Sequence, residues 1–170
     1  TESESYKVAN YEITKNEGTL TITENTGAIV ITADSGSWVY DGETHSKATF
    51  TTTGLPEGYT VEAVITGSIT DFGTVANVVD SYVIKLGTED VTSQFSNITT
   101  QNGTLEITKR NVILTSESAS KEYDGTPLTD NNWELISGTP ALNQNIITTN
   151  YGKITDVGIT YNNAVTIVVD

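Results

Sequence analysis

Two sequence blocks of this 170-residue chain each recur at an offset of 85 positions, which limits the folds that the chain can adopt. Residues 18–23 read Gly-Thr-Leu-Thr-Ile-Thr, and residues 103–108 read Gly-Thr-Leu-Glu-Ile-Thr. Residues 67–73 and 152–158 share the pattern Gly-x-Ile-Thr-Asp-x-Gly. Self-similarity at a fixed period is typical of tandem structural units. The repeat therefore predicts two small domains rather than one large domain.

A third block recurs in the same order but at a slightly shorter offset. Tyr-Asp-Gly occupies residues 40–42 and returns at residues 123–125, an offset of 83. The difference arises because the junction at residues 109–111 is shorter than the corresponding stretch at residues 24–28. Three blocks in one order are hard to obtain by chance, so we treat the repeat as real.

The repeat also predicts the domain borders. We assign residues 25–109 to repeat one and residues 110–170 to repeat two, which lacks closing strands of its own. Residues 1–24 match the closing strands of repeat one. They are therefore predicted to be the closing strands of a preceding repeat or of a neighbouring copy. The alternative is that the true borders fall near residue 85.

The local pattern of the chain predicts an all-β fold. The sequence contains 31 threonines, whose branched side chains favour strands. Leu20 and Ile22 alternate with threonines, as in a half-buried strand, and no segment shows a helical apolar period. Six or seven short strands fit each repeat. We predict two tandem immunoglobulin-like sandwiches of about 85 residues, with a β-grasp-like repeat as the alternative.

Charge and composition exclude several classes of function. The chain has 22 acidic and 8 basic residues, a formal net charge of −14, so nucleic acid and anionic lipid are poor partners. No apolar run is long enough to insert into a membrane. Cysteine is absent, which excludes disulfides and thiolate metal sites.

Three of these motifs together resemble the YDG and MBG-type tandem β repeats of large bacterial cell-surface, adhesin-like proteins. They are the Tyr-Asp-Gly block at residues 40–42, Ser-Ile-Thr-Asp-Phe-Gly at residues 68–73, and Tyr-Glu-Ile at residues 11–13 followed by the strand at residues 18–23. The resemblance covers nearly the whole chain. It implies an extracellular location, of the Gram-positive type, and a stalk, spacer or adhesive role without naming a ligand.

The recurring Asp and Gly residues of the two repeats are interpreted as turns rather than as a catalytic site. Asp side chains bond nearby backbone amides, glycine adopts positive φ, and a tyrosine ring covers the end of a core. Glu17-Gly18 and Asn102-Gly103 are predicted to form tight hairpin turns. The predicted structural turn residues are Tyr40, Asp41, Gly42, Tyr123, Asp124, Gly125, Asp71, Gly73, Asp156, Gly158, Gly18 and Gly103.

Few residues of the sequence are candidates for chemistry. Calcium is the cofactor to consider, and the acidic groups that could converge on it are Asp34, Asp41 and Glu43, or Asp80 with Glu89 and Asp90. No Asp-x-Asp-x-Asp run supports such a site, so we predict no metal and no cofactor. A nucleophile would need the single histidine, His45, as its base, and no Gly-x-Ser-x-Gly elbow exists. We predict no enzymatic activity.

Two functions remain open from the sequence. The preferred hypothesis is a structural segment of a surface stalk or fibre. The alternative is an adhesin module that binds host glycan or protein, with Trp38, His45 and Tyr59 as candidates because they break the repeat. Trp133 is a further aromatic, for which core or edge packing is the preferred interpretation.

Residues 6–23 are predicted to act between copies. An unpaired sheet edge in repeat two invites strand addition, and residues 24–27 are too short to carry this segment back along its own molecule. We therefore expect head-to-tail association in which the segment completes the sheet of the next copy; a longer covalent array is the alternative form of the same continuity. The residues assigned to this strand are Tyr6, Val8, Tyr11, Ile13, Leu20 and Ile22.

Overall fold

The computed structural model describes residues 11–149, 151–163 and 166–169. Within them the regular structure is β-strand, with one 3₁₀ turn at Thr92–Gln94 and no α-helix. The all-β prediction is confirmed at this level, as several small sheets that include a curled one. None of the described residues forms a helix that could cross a membrane.

Repeat one contains eight strands in two sheets. Their bounds are β1 Ile29–Ala33, β2 Gly36–Val39, β3 Phe50–Thr53, β4 Tyr59–Thr66, β5 Gly73–Leu86, β6 Glu89–Asp90, β7 Ile98–Gln101 and β8 Gly103–Thr108. One sheet has the order β3-β1-β7, and the other has the order β2-β8-β5-β4 with β6 at the end of β5. Because β1 continues into β2 and β7 into β8, the two sheets form one curled surface.

The first and last strands of repeat one run side by side in parallel. Ile29 is paired with Ile98 in the first sheet, and Trp38 is paired with Ile107 in the second. The other strand pairs of both sheets are antiparallel. Parallel neighbours need a long connection, and here strands β3 to β6 supply it.

Two apolar clusters fill the curled sheet. The first lies between β1 and the C-terminal half of β5, and its buried residues are Ile29, Ile31, Ala33, Val79, Ile84 and Phe95. Ile69, Leu105 and Ile107 form the second cluster, with Trp38 and Tyr40 packed against it. Alternation along β1 and β8 places every second side chain in these clusters, as a half-buried strand requires.

Repeat two contains six shorter strands. Their bounds are β9 Ile113–Ser116, β10 Leu128–Thr129, β11 Trp133–Ser137, β12 Ile146–Thr149, β13 Lys153–Ile154 and β14 Thr166–Val169. Among the described residues of repeat two the strands pair in twos, as β9 with β11, β10 with β13, and β12 with β14. The pair β9–β11 corresponds to β1–β3 of repeat one, with the same register at Trp133 opposite Ser116 as at Phe50 opposite Ala33.

The hairpin predicted at Asn102-Gly103 is wrong. Residue Gly103 begins β8, and positive φ is not found there. The glycine is required by close approach, because a Cβ at this position would lie 2.5 Å from the Ala33 carbonyl oxygen and 2.4 Å from that of Asp34. Gly18, the corresponding residue, lies in an exposed stretch and is not at positive φ, and a Cβ added to it would have no neighbouring atom within 4 Å.

Candidate functional site

A buried asparagine holds the start of repeat one together. The side-chain amide of Asn77 donates to the backbone carbonyls of Asp34 and Lys47, both at 2.8 Å. Asn77 is only 1% exposed. Its amide therefore fixes the point at which β1 passes into β2 against the loop that precedes β3. Buried amides of this kind are costly to leave unpaired, so the contact defines the local geometry.

Repeat two has the same contact at the corresponding residue. The side-chain amide of Asn162 donates to the backbone carbonyls of Glu117 and Asp130, both at 2.9 Å. Asn77 and Asn162 lie 85 residues apart, at the offset of the repeat, and no role is predicted for either from the sequence. The signal that could find them is the recurrence of an amide side chain at equivalent positions, since a buried amide needs hydrogen-bond partners.

In repeat one, Asn77 lies opposite strand β8. Strand β8 lies between β2 and β5, with Gly103 opposite Asn77 and Leu105 opposite Gly36. The side chains of Leu105 and Ile107 are fully buried there. Strand β8 thus supplies most of the second apolar cluster.

In repeat two, the corresponding position is an open groove. Residues 119–122, which correspond to β2, form no strand, and within the described residues β9 pairs with β11 alone. The groove has a volume of about 350 Å³. One wall is the stretch from Ala119 to Tyr123, and the other is the stretch from Ile154 to Thr160.

Several side chains of repeat two are less buried than their counterparts in repeat one. Val112 and Leu114 face the same side as Ile29 and Ile31, but they are only half-buried. Tyr123 is 67% exposed, whereas Tyr40 of the other repeat is half-buried. The core positions of repeat two are therefore less well covered than the same positions of repeat one.

The segment predicted to act between copies is exposed. Residues 11–24 form no strand, and along the chain from residue 11 the first backbone hydrogen bonds to a distant segment are those of Asn25 with Gln94 and Ser96. Tyr11, Ile13, Leu20 and Ile22 are all exposed, the last two almost completely. Tyr6 and Val8 lie outside the described residues.

The Tyr-Asp-Gly blocks adopt the same turn in both repeats. Gly42 has φ 87° and Gly125 has φ 77°. The Asp41 carboxylate accepts a hydrogen bond from the Glu43 amide, and the Asp124 carboxylate accepts one from the Thr126 amide. These contacts arrange a tight bend at the end of the repeat.

Neighbouring side chains stabilise the ionised form of both aspartates. The pKa of Asp41 is lowered by the Glu43 amide and then by His45, whose ring nitrogen lies 3.0 Å from the carboxylate. The pKa of Asp124 is lowered well below its ordinary value, first by Lys121 at 2.8 Å and then by the Thr126 amide.

The Asp-x-Gly blocks differ from the sequence-based interpretation. Within the described residues, the carboxylates that accept backbone amides are those of Asp41, Asp90, Asp124 and Asp130, so Asp71 and Asp156 are not among them. Gly73 has φ 143°, but the corresponding Gly158 is not at positive φ. The two blocks therefore bend the chain without hydrogen bonds from their aspartates to backbone amides.

The candidate calcium ligands make local contacts instead of converging. Asp34 accepts the Thr49 hydroxyl at 2.6 Å, and Asp90 accepts the Thr92 amide at 2.9 Å. Glu43, Asp80 and Glu89 are exposed. Within the part of the chain that the structure describes, no group of three His, Asp or Glu residues could hold a metal ion.

The aromatic candidates for ligand binding are used in packing. The Trp38 and His45 rings stack at 4.8 Å, and the Tyr59 ring meets Phe95 edge-on at 5.3 Å. Trp133 is half-buried in β11. The three residues proposed from the sequence as an adhesin surface therefore do not form one exposed site.

Comparisons with protein-family models, with curated proteins and with solved structures find no match to this chain. The resemblance to bacterial surface repeats thus rests on the sequence motifs alone.

Proposed function

We propose that this chain is a structural segment of an extracellular bacterial surface stalk or fibre, in which β repeats are stacked end to end. The observation that carries the proposal is the junction between the repeats, where side chains of one repeat bond the end of the other. A chain of separate binding domains would instead be joined by a flexible linker.

Arg110 connects the two repeats at this junction. Its Nε donates to the Tyr40 carbonyl at 2.6 Å, and its Nη1 lies 3.4 Å from the Thr139 carbonyl and 3.3 Å from the Thr139 hydroxyl. The side-chain amide of Gln144 donates to the Tyr40 hydroxyl at 2.7 Å. Only four residues separate β8 from β9. These contacts favour a stiff connection.

The far end of repeat two carries the same surface. Tyr123 and the bend at Gly125 correspond to Tyr40 and Gly42, which contact repeat two. Because Tyr123 is exposed, it is available for a further repeat to pack against. An array built in this way is quasi-one-dimensional, with each repeat touching only its neighbours.

We propose that repeat one has the fold of the β-grasp-like alternative rather than that of the immunoglobulin-like sandwich. The support is the strand order of its two sheets, β3-β1-β7 and β2-β8-β5-β4. In the first sheet β1 is parallel to its neighbour β7, and in the second β2 is parallel to its neighbour β8. An immunoglobulin-like sandwich is built from antiparallel sheets.

A structural role without catalysis also agrees with how His45 is used. Its ring stacks on Trp38 and its Nε2 contacts the Asp41 carboxylate, so the histidine is engaged in the bend of repeat one. The extracellular location is proposed from the resemblance of the motifs.

An adhesin role is the second candidate, and one observation favours it. A cavity of about 550 Å³ lies at the junction, a size common for ligand pockets. Phe72 is exposed at this cavity, and the Lys109 ammonium lies 4.7 Å from the centre of its ring. A host glycan could stack on such an aromatic face.

Nuclear magnetic relaxation of the full chain tests the structural proposal. The wild-type repeats should tumble as one body, and Arg110→Ala should make them tumble separately, while Lys153→Ala on the surface of repeat two should change nothing. Separate tumbling in the wild type would contradict the proposal. Specific glycan binding that Phe72→Ala abolishes would favour the adhesin role instead.

A further inference from the structure

The groove of repeat two lies at the position that strand β8 fills in repeat one. Its walls correspond to β2 and to residues 69–75, the stretch that leads into and begins β5, and β2 and β5 are the two strands that border β8. The asparagine that stands opposite Gly103 has its counterpart, Asn162, at the same end of the groove. A strand placed there would restore the four-stranded order of repeat one.

The chain itself contains a second copy of that strand. Residues 18–23 match β8 at every position except Thr21, which replaces the exposed Glu106. Ile13-Thr14 likewise matches the start of β7. Leu20 and Ile22, the counterparts of the two buried residues of β8, are almost fully exposed.

We infer that the groove of repeat two binds residues 13–23 of a second copy of this chain, as a strand parallel to β9. This inference rests on the proposed structural function and names its partner. It predicts a register: Ile13 beside Val112, Leu20 between Ala119 and Thr160, and Ile22 between Lys121 and Gly158, each transferred from the pairs of repeat one.

The segment cannot reach this groove within its own molecule. Asn25 is bonded to Gln94 and Ser96 at the end of repeat one where β1 begins. The path from there to Tyr40, at the junction, follows the 11 residues of Ile29–Val39, or about 30 Å. Two residues from Thr23 to Asn25 span only about 7 Å. Occupation of the groove by residues 13–23 therefore requires a second copy.

The partner copy would continue the array. In the parallel register, Thr23 leaves the groove beside Glu122, next to the Tyr123 end of repeat two. Its own repeat one begins a few residues later, and so lies beyond that end. The contact is head-to-tail. It leaves a free groove on one molecule and a free segment on the other, so further copies can add at both ends and form a filament.

Gly18 acts as a steric requirement for this pairing. Its counterpart, Gly103, faces the carbonyl oxygens of Ala33 and Asp34 so closely that a Cβ would lie 2.4 to 2.5 Å from them. The corresponding carbonyls in repeat two belong to Ser116 and Glu117. Gly18→Val should therefore prevent docking while leaving the donor molecule folded, because nothing lies within 4 Å of a side chain that begins at Gly18.

Disulfide trapping tests the register, since the natural chain has no cysteine. Ser37 and Glu106 are neighbours in repeat one, 3.2 Å apart at their side-chain oxygens, and they correspond to Ser120 and Thr21. Adjacent strands lie within the range that a disulfide can bridge. A full-length Thr21→Cys chain mixed with a full-length Ser120→Cys chain should form mixed dimers under mild oxidation.

Two controls make the result specific. Thr21→Cys mixed with Thr88→Cys, an exposed position in the turn after β5, should give at least tenfold less mixed dimer. Adding Gly18→Val to the Thr21→Cys chain should reduce the mixed dimer to the same background. Trapping at background level in the first mixture, or trapping that survives Gly18→Val, overturns the inference. Either outcome leaves the stacking of repeats, tested through Arg110, unaffected.

Discussion

At the scale of single residues, the two asparagines are the most informative positions. Both donate to the same pair of backbone carbonyls in their repeats, yet Asn77 is buried and Asn162 is only half-buried. The difference follows from β8, which covers Asn77 and has no counterpart in the described part of repeat two. Equivalent contacts therefore differ in energetic weight because their surroundings differ.

We predict that Asn77→Ala destabilises repeat one by about 2–4 kcal/mol, since two buried carbonyls lose their donor and a cavity is left. Asn162→Ala should destabilise repeat two by about 1 kcal/mol, because its carbonyls can turn to water. Urea unfolding followed by resolved amide signals of β1 and β9 measures the two values. Equal, small losses would show that the buried contact does not hold repeat one.

At the scale of secondary-structure elements, the sequence predicts what depends on local pattern. The alternating pattern corresponds to β8 at residues 103–108, although the same pattern at residues 18–23 forms no strand, and the glycine of each Tyr-Asp-Gly block lies at positive φ in a bend. These features depend on a few neighbouring residues, and so they are visible without the fold.

The elements that the sequence does not predict depend on distant pairing. Ile98 lies beside Ile29, 69 residues away, and no local pattern specifies a parallel pair at that distance. Gly103 follows an asparagine, as a hairpin glycine does, but it is needed because another strand passes close to it. Sequence alone does not separate a glycine chosen for φ from one chosen for space. For repeat two, the sequence predicts an unpaired sheet edge, but it does not predict which residues line the groove there.

We predict that Gly103→Val destabilises repeat one by about 3 kcal/mol or more, because the two carbonyls against it belong to fixed backbone. Gly18→Val is the matched variant, with the same change in the same sequence motif. In dilute solution it should alter stability by less than about 0.5 kcal/mol, since Gly18 is exposed. Thermal unfolding of both variants measures the difference, and a similar loss for the two would contradict the packing explanation.

At the scale of the whole molecule, the net charge of −14 opposes association of copies. The groove contact is made by backbone and apolar side chains, with Leu20 and Ile22 as the buried partners, so salt should not weaken it directly. Repulsion between the copies extends over about 30 Å at 10 mM salt and is confined to a few ångströms near 1 M. We therefore predict that head-to-tail association tightens by tenfold or more when sodium chloride rises from 10 mM to 0.5 M.

Sedimentation equilibrium of the full chain measures this, with Gly18→Val remaining monomeric at both concentrations. Association that weakens as salt rises would instead mean that ion pairs hold the copies together, and the strand would not be the main contact.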